Sequence, residues 1–216
     1  MLVQAAHPEV AAGVSDHSSY RSDPLGRLSR TAAYVTATAY GSLPEVDDAV
    51  AIVRRLHGPV SGTSHRGLAY SAAEPEMAAW VHNALVDSFL VAHRTYASAP
   101  MSDADADVYV AEQVRLGERM GADPLPATSA ALTRWLVDHP SLGPSPAGAD
   151  AVRFLAGPPL DSPVRFAYRI IHAAAAATVC PGTPSPLSSA PPAPSPSVPA
   201  APAACEEAKI IIMALS

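Results

Sequence analysis

Apolar residues recur at intervals of three and four along most of the first 175 residues, and this spacing is typical of amphipathic helices. One helix is predicted to begin at Asp23-Pro24, because proline suits the first helical position, and to end at Gly41. Its apolar stripe consists of Leu25, Leu28, Ala32, Val35 and Ala39. A neighbouring face carries Arg27, Thr31, Tyr34 and Thr38.

A second helix is predicted to follow directly. Ser42 and Glu45 have the spacing of a capping box, and Gly58-Pro59 would end the helix after His57. One stripe along this helix contains Val46, Ala49, Val50, Val53, Leu56 and His57. We therefore expect His57 to lie on the buried side of the helix, at its last residue.

Further capping signals predict helices from Pro75 to about Tyr96, from Ser102 to Gly121, at about 128–139 and 147–156, and after Pro163. Residues 62–67 are expected to form a loop, and no alternating strand pattern is recognisable. The predicted fold class is therefore all-α, a compact multi-helix bundle over residues 1–175. Residues 176–216 are predicted to be a disordered tail, because Pro, Ala and Ser dominate between Cys180 and Cys205.

Composition limits the possible partners of the chain. An apolar fraction of 49% with 16% charged residues is typical of one domain with a buried core. The net charge of −6 and the lack of a basic cluster argue against nucleic-acid binding. We expect a cytoplasmic protein without a transmembrane segment, because no apolar run is long enough to span a bilayer and the start lacks signal-peptide features.

Histidine and arginine side chains are the candidates for chemistry. An inward-facing His57 would need a partner for each ring nitrogen, and either a metal or a backbone carbonyl could supply one. Arg27 and Thr31, one helical turn apart, could bind an anion together or could form a solvated face. His82 and His93 lie about three turns apart, too far to chelate one ion together. No HExxH motif or paired carboxylates support zinc hydrolysis or glycosidase chemistry.

Four ordered blocks of sequence carry a resemblance to a known family. They read MLVQAAHPEVAAGVSDHSSYRSDPLGRLSRT, RRLHGPVSG, AYSAAEPEMAAWVHNALVDS and YVAEQVRLGERMGA. Together they resemble the bacterial branch of the oxygenase family that contains the latex clearing protein, a rubber oxygenase, and the fungal oxygenase MpaB. The resemblance covers roughly residues 1–165. It implies one haem b, with its iron, inside a helical bundle and cleavage of a carbon–carbon double bond in a hydrophobic, isoprenoid-like substrate by dioxygen.

The resemblance also implies roles for individual residues. His57 matches the proximal ligand of the haem iron. Arg27 and Thr31 match residues of a distal helix that meets oxygen or a haem propionate. Arg30 stands where rubber oxygenases have a lysine able to approach the iron, which argues against lysine-type distal ligation here. His82 resembles a histidine near the haem and is a cofactor-binding candidate.

Both ends of the chain depart from the family pattern. Relatives usually carry more helical sequence before the block that begins at Leu2, and beyond about Thr178 they continue with another helix. We therefore expect an N-terminal truncation and a divergent or frame-shifted C-terminus. The alternative function is a non-enzymatic helical protein that binds haem or a hydrophobic ligand, and the departures at both ends also allow the chain to be an inactive fragment.

Overall fold

Eight α-helices account for most of residues 3–179, the part of the chain that the computed structural model describes. After a short 3₁₀ turn at Gln4–Ala6, the elements in chain order are α1 (Pro8–His17), α2 (Pro24–Tyr40), α3 (Leu43–His57), β1 (Ser61–Thr63), β2 (Ala69–Ser71), α4 (Pro75–Tyr96), α5 (Asp103–Met120), α6 (Ser129–Val137), α7 (Pro146–Ala156) and α8 (Ser162–Val179). The predicted all-α class is confirmed. The disordered tail was predicted to begin at residue 176; residues 176–179 belong to α8, and the rest of the predicted tail, with both cysteines, lies outside the described residues.

Local capping explains where α2 and α3 begin and end. The Asp23 carboxylate accepts a hydrogen bond from the Gly26 N–H at 2.9 Å, and α2 ends at Gly41. The Ser42 N–H donates to Glu45 Oε2 at 2.7 Å, which closes the predicted capping box of α3. Both helices therefore have the predicted limits.

The hydrophobic core is built around α4. Its buried residues pack against α1, α5 and α6, and the cluster consists of Val10, Trp80, Ala84, Val86, Leu90, Ala106, Val110, Leu132 and Leu136. Trp80 on α4 is only 1% exposed and is among the largest fully buried side chains. Because the Trp80 indole N–H donates a hydrogen bond to the Gln4 carbonyl oxygen at 3.3 Å, the 3₁₀ turn at Gln4–Ala6 is held directly on this core.

A short β-hairpin replaces part of the loop expected at residues 62–67. Strands β1 and β2 are antiparallel, and Gly62 pairs with Tyr70. A Cβ atom at Gly62 would lie 2.5 Å from the Tyr70 hydroxyl oxygen, so this position needs glycine. The expectation of a loop was wrong at residues 62–63 and is correct for residues 64–67, which connect the strands; three-residue strands are too short to produce a recognisable alternation.

A buried polar cluster connects α1 to the β1–β2 hairpin. The Glu9 carboxylate is 5% exposed and accepts hydrogen bonds from the Ser64 hydroxyl at 2.8 Å and from the Arg66 guanidinium. His7, which caps α1, packs its ring 5.3 Å from that of His139 and 5.4 Å from that of Trp80. No sequence pattern marks this cluster, because the side chains that meet here are far apart in the chain.

Within residues 3–179, no helix combines the length and the apolar character that a membrane span requires.

Candidate functional site

Helices α2 and α3 form a helical hairpin with Arg27 and His57 at its open end. The two helices pack against each other and are joined through Gly41 and Ser42 alone, which requires them to run antiparallel. Because they have similar lengths, the first turn of α2 lies beside the last turn of α3. The hairpin therefore brings together two predicted site residues that are thirty positions apart in the chain.

His57 is half-buried, and within residues 3–179 its ring nitrogens make no hydrogen bond. Burial lowers the pKa of the His57 imidazole, and the positive charge of Arg27 lowers it further. The ring is consequently neutral near pH 7, with a lone pair on one nitrogen. A neutral imidazole in this state is suited to binding a metal.

Two fully buried histidines show the contrasting arrangement. His82 Nε2 lies 3.0 Å from the Gln113 carbonyl oxygen, and His139 Nδ1 accepts a hydrogen bond from the Ser141 N–H at 3.3 Å. Both rings thus have a backbone partner, as expected for histidines with a packing role. His57 was also considered as a core histidine bonded to a backbone carbonyl. Within the described part of the chain, His57 makes no such bond.

Arg27 supplies the positive charge at the open end of the hairpin. Its side chain is half-buried, and burial together with the nearby Arg30 charge lowers the pKa of its guanidinium. The group nevertheless stays protonated near pH 7, because an arginine pKa lies far above this range. Seven residues further along α2, burial raises the pKa of Tyr34 to about 12, which keeps that hydroxyl protonated too.

Thr31 and Arg30 have their polar atoms engaged within the chain. The Thr31 hydroxyl donates to the Arg27 carbonyl oxygen at 3.1 Å, so its proton is used within α2 and only its lone pairs remain available. The Arg30 guanidinium bonds to Asp23 Oδ2 at 3.2 Å and to Ser19 Oγ at 3.0 Å. Arg30 is therefore held at the loop before α2.

His82 lies between α4 and α5, away from the helical hairpin of α2 and α3. A Cβ atom added at Gly117 of α5 would lie 3.1 Å from His82 Cδ2, which shows how closely the two helices approach there. The bond to the Gln113 carbonyl fixes the ring in this interface. The role of His82 at a cofactor stays a prediction, as do the roles of Arg30 and Thr31.

The hairpin also exposes a set of apolar side chains. Exposure amounts to 49% for Leu25, 60% for Leu28, 48% for Ile52 and 59% for Leu56. The sequence placed Leu56 on a buried stripe of α3, but burial on that stripe is complete only at Val46 and Val50. The expected burial of the last turns of α3 was wrong. There α3 packs mainly against α2, and α2 itself has no buried residue.

One buried residue of this region has no signal in the sequence. Tyr20, in the loop before α2, is 3% exposed, and its hydroxyl has no hydrogen-bond partner. Its ring packs edge-on against Phe154 of α7 at 5.1 Å. No sequence pattern signals this burial, because Tyr20 belongs to a polar stretch and its covering residues come from α7.

The donor set of the hairpin suits a haem. Within residues 3–179 there is no group of three or more His, Cys, Asp or Glu side chains that could hold a metal ion. A haem iron requires no such group, since one protein imidazole is sufficient to ligate it. His57 has the required neutral, unbonded ring, Arg27 supplies a cation and the exposed leucines supply apolar surface.

Comparison with known proteins identifies the family. The family model described as "ER-bound oxygenase mpaB/B'/Rubber oxygenase, catalytic domain" matches residues 1–191. The chain matches no curated protein and no solved structure. The family match spans most of the 216 residues and includes both helices of the hairpin. The chain therefore belongs to the family of mpaB and rubber oxygenase catalytic domains.

Proposed function

We propose that this protein is a haem b-dependent oxygenase that uses dioxygen to cleave or oxidise a carbon–carbon double bond of an apolar, isoprenoid-like alkene. Membership in an oxygenase family supports the reaction class. The proposed cofactor and its position rest on the environment of His57. Its imidazole is half-buried and neutral, makes no hydrogen bond within residues 3–179 and lies next to the charge of Arg27.

In this proposal His57 holds the cofactor through the lone pair of its ring nitrogen. The lowered pKa favours this role, because protons compete less well with the metal for a less basic, neutral ring. A bound haem supplies redox-active iron for chemistry with dioxygen.

Arg27 acts as a fixed positive charge beside the reacting groups. Its half-buried guanidinium lies in a region of reduced dielectric, where a cation stabilises nearby negative charge more strongly than it would in water. It can stabilise negative charge that develops on oxygen, or it can bind a carboxylate. The Thr31 hydroxyl, whose proton is committed to the helix, can only accept a hydrogen bond there.

The exposed apolar side chains of the hairpin provide the surface for the substrate. Leu28 and Leu56 are more than half exposed, on α2 and α3 respectively. Covering such side chains with an alkene is favourable by about 25 cal/mol per Å² of apolar area removed from water. The same contacts exclude water from the space beside His57.

Replacement of His57 tests the proposal. The wild-type chain, produced in haem-supplemented cells, should carry close to one haem per chain in a pyridine haemochromogen assay. His57→Ala should lose this haem but keep its helix content by circular dichroism, because the caps of α3 are untouched. His93→Ala, which changes an exposed histidine of α4, is the matched control and should keep its haem. Full haem occupancy in His57→Ala, or a folded but colourless wild type, would refute the assignment.

The exposed apolar side chains also favour a second candidate, a protein that binds haem or another hydrophobic ligand without turnover. Oxygen uptake by the haem-loaded protein with an isoprenoid alkene separates the two candidates. Uptake that requires both the alkene and His57 supports the oxygenase. Haem binding without uptake supports the carrier.

A further inference from the structure

Residues 3–7 form a short strap on the core, and few hydrogen bonds hold it there. The Gln4 carbonyl accepts from the Trp80 indole N–H at 3.3 Å, and the Gln4 side-chain amide donates to a backbone carbonyl of α4 at 3.4 Å. Both distances are longer than is usual for an N–H donor and an oxygen acceptor. The Ala6 carbonyl accepts from the Gly143 N–H at 3.1 Å. The 3₁₀ turn within the strap has no buried residue, so the strap is only weakly anchored by its own contacts.

His7 is the one buried residue of the strap, and it is buried in its neutral form. Its Nδ1 accepts the Val10 N–H at 3.5 Å as the N-cap of α1, so the single ring proton is on Nε2. A second proton would go on Nδ1, which lies 3.5 Å from the Glu9 carboxylate. Both oxygens of Glu9 already accept hydrogen bonds from the Arg66 guanidinium. Protonation of His7 therefore removes the acceptor of the α1 cap and places two cations on one carboxylate.

A second buried histidine, His139, has a similar arrangement. It begins the loop of residues 139–143, which faces the strap, and its ring packs 5.3 Å from that of His7. Its Nδ1 accepts the Ser141 N–H at 3.3 Å, so its ring proton is on Nε2, which lies 3.6 Å from the Glu76 carboxylate of α4. Each of the two rings therefore loses a hydrogen bond to the backbone when it takes up a second proton.

The two rings also oppose each other once they are charged. Burial lowers the pKa of both histidines, and the charges of His139 and Arg66 lower that of His7 further, to about 4. Glu9 opposes this change at His7, and Glu76 opposes it at His139. A solvated histidine has a pKa near 6.5, so a released strap binds protons more readily than a packed one. Opening therefore becomes easier as the pH falls from 6.5 towards 4.

We propose that His7 and His139 form a pH-sensitive clasp, and that in mild acid the strap and the facing loop separate from α4 while the helical fold stays intact. Helix α1 remains in place, because Val10 packs in the hydrophobic core and Glu9 is bonded to the β1–β2 hairpin. Opening uncovers the ring of Trp80, which is 1% exposed in the closed form. The clasp does not require the proposed haem, since none of its residues belongs to the α2–α3 hairpin.

Hydrogen exchange of the full-length protein, followed by NMR at pH 7 and pH 5 in low concentrations of urea, tests the clasp. The reporters are the Trp80 indole N–H and the Gly143 backbone N–H, whose acceptors lie in the strap. Their protection factors, corrected for the pH dependence of free amide exchange, should hardly depend on urea, because local opening exposes little surface. Protection of the core amides of α4 should fall steeply with urea. From pH 7 to pH 5 the protection of the reporters should fall about twentyfold through His7 alone.

Replacing each histidine by asparagine separates proton uptake from packing. The new side chain can still cap α1 in His7→Asn, and it can accept the Ser141 N–H as an Asx turn in His139→Asn. The ratio of protection at pH 7 to that at pH 5 is compared within each variant, so that a constant loss of packing cancels. His7→Asn should remove the twentyfold share, and the double variant should show no pH dependence at the reporters. His65→Asn, at an exposed histidine, should match the wild type.

A ring titration by NMR tests the coupling of the two histidines directly. His139→Asn should raise the pKa of His7, because one of the charges that opposes its protonation is gone. An unchanged pKa of His7 would refute the coupling.

Two other results would overturn the proposal. One is a wild type in which the reporters and the core amides of α4 have the same protection and the same urea dependence at both pH values, since exchange would then require global unfolding. The other is a double asparagine variant whose reporters keep the pH dependence of the wild type. The urea measurement needs no substitution, so it decides the matter even if the asparagine variants do not fold.

Discussion

Acid should destabilise this protein through His7, at pH values where carboxylates are still ionised. His7 is 4% exposed and is packed against the rings of Trp80 and His139. Burial is the main cause that lowers the pKa of His7 to about 4, and the charge of His139 adds to it, while Glu9 opposes the change. Because the folded state takes up a proton less readily than the unfolded state, stability falls as the pH decreases from 6.5 towards 4.

The size of this effect follows from the two pKa values. The difference between the ordinary value of 6.5 and the folded value of about 4 corresponds to about 3 kcal/mol over the whole range. Between pH 7 and pH 5, His7 alone should lower the free energy of unfolding by about 2 kcal/mol. Glu9, whose pKa is lowered although burial opposes this, loses its stabilising effect only below its ordinary value of 4.5. The range from pH 7 to 5 therefore isolates the histidines.

Urea unfolding of the haem-free protein, followed by circular dichroism between pH 7 and pH 5, measures the effect. His7→Asn removes the titrating group and keeps a side chain suited to the N-cap of α1, so the contribution of about 2 kcal/mol from His7 should disappear. Some pH dependence should remain, because burial also lowers the pKa of His57, His82, His139 and His172. His65→Asn, at an exposed histidine, is the control and should follow the wild type. A His7→Asn variant that loses as much stability as the wild type would refute the reasoning.

Two further substitutions test the geometry of the site and of the α4–α5 interface. Arg27→Ala should raise the pKa of His57 in an NMR titration of the haem-free protein, because the positive charge that opposes protonation is gone; an unchanged pKa would contradict their proximity. Gly117→Ala should lower the free energy of unfolding by about 1–3 kcal/mol, since the new methyl group would lie 2.5 Å from Leu125 Cδ2. Gly143→Ala, where a Cβ meets nothing within 4 Å, should cost less, and equal losses would argue against this packing.

Local signals in the sequence were sufficient to predict several helices closely. Asp23 and Gly41 limit α2, and Ser102 and Gly121 limit α5, as the structure confirms. Capping works as a predictor because its hydrogen bonds join residues three or four positions apart, so the partners are visible in a short stretch of sequence. The β-hairpin was not predicted, because its strands have only three residues each and show no alternating pattern in the sequence.

The candidate site was predicted only in part. The resemblance pointed to Arg27 and His57 as partners in one haem pocket, and the α2–α3 hairpin places the charge of Arg27 where it acts on His57. Arg30 is held at the loop and His82 at the α4–α5 interface, and no sequence pattern could reveal this. The position of Arg30 depends on the side chains of Asp23 and Ser19, and that of His82 depends on the Gln113 carbonyl. These partners become evident only in the folded structure.

The sequence by itself determined the helical class, the main helix limits, the family resemblance and the identity of the candidate iron ligand. Only the tertiary structure decided which surfaces are covered. It left the apolar side chains of α2 exposed, and it buried His7, Glu9 and Tyr20, three polar residues that no periodicity marks as core. The physical reason is that a helix limit depends on neighbours in the chain, whereas burial depends on which distant elements pack against a residue.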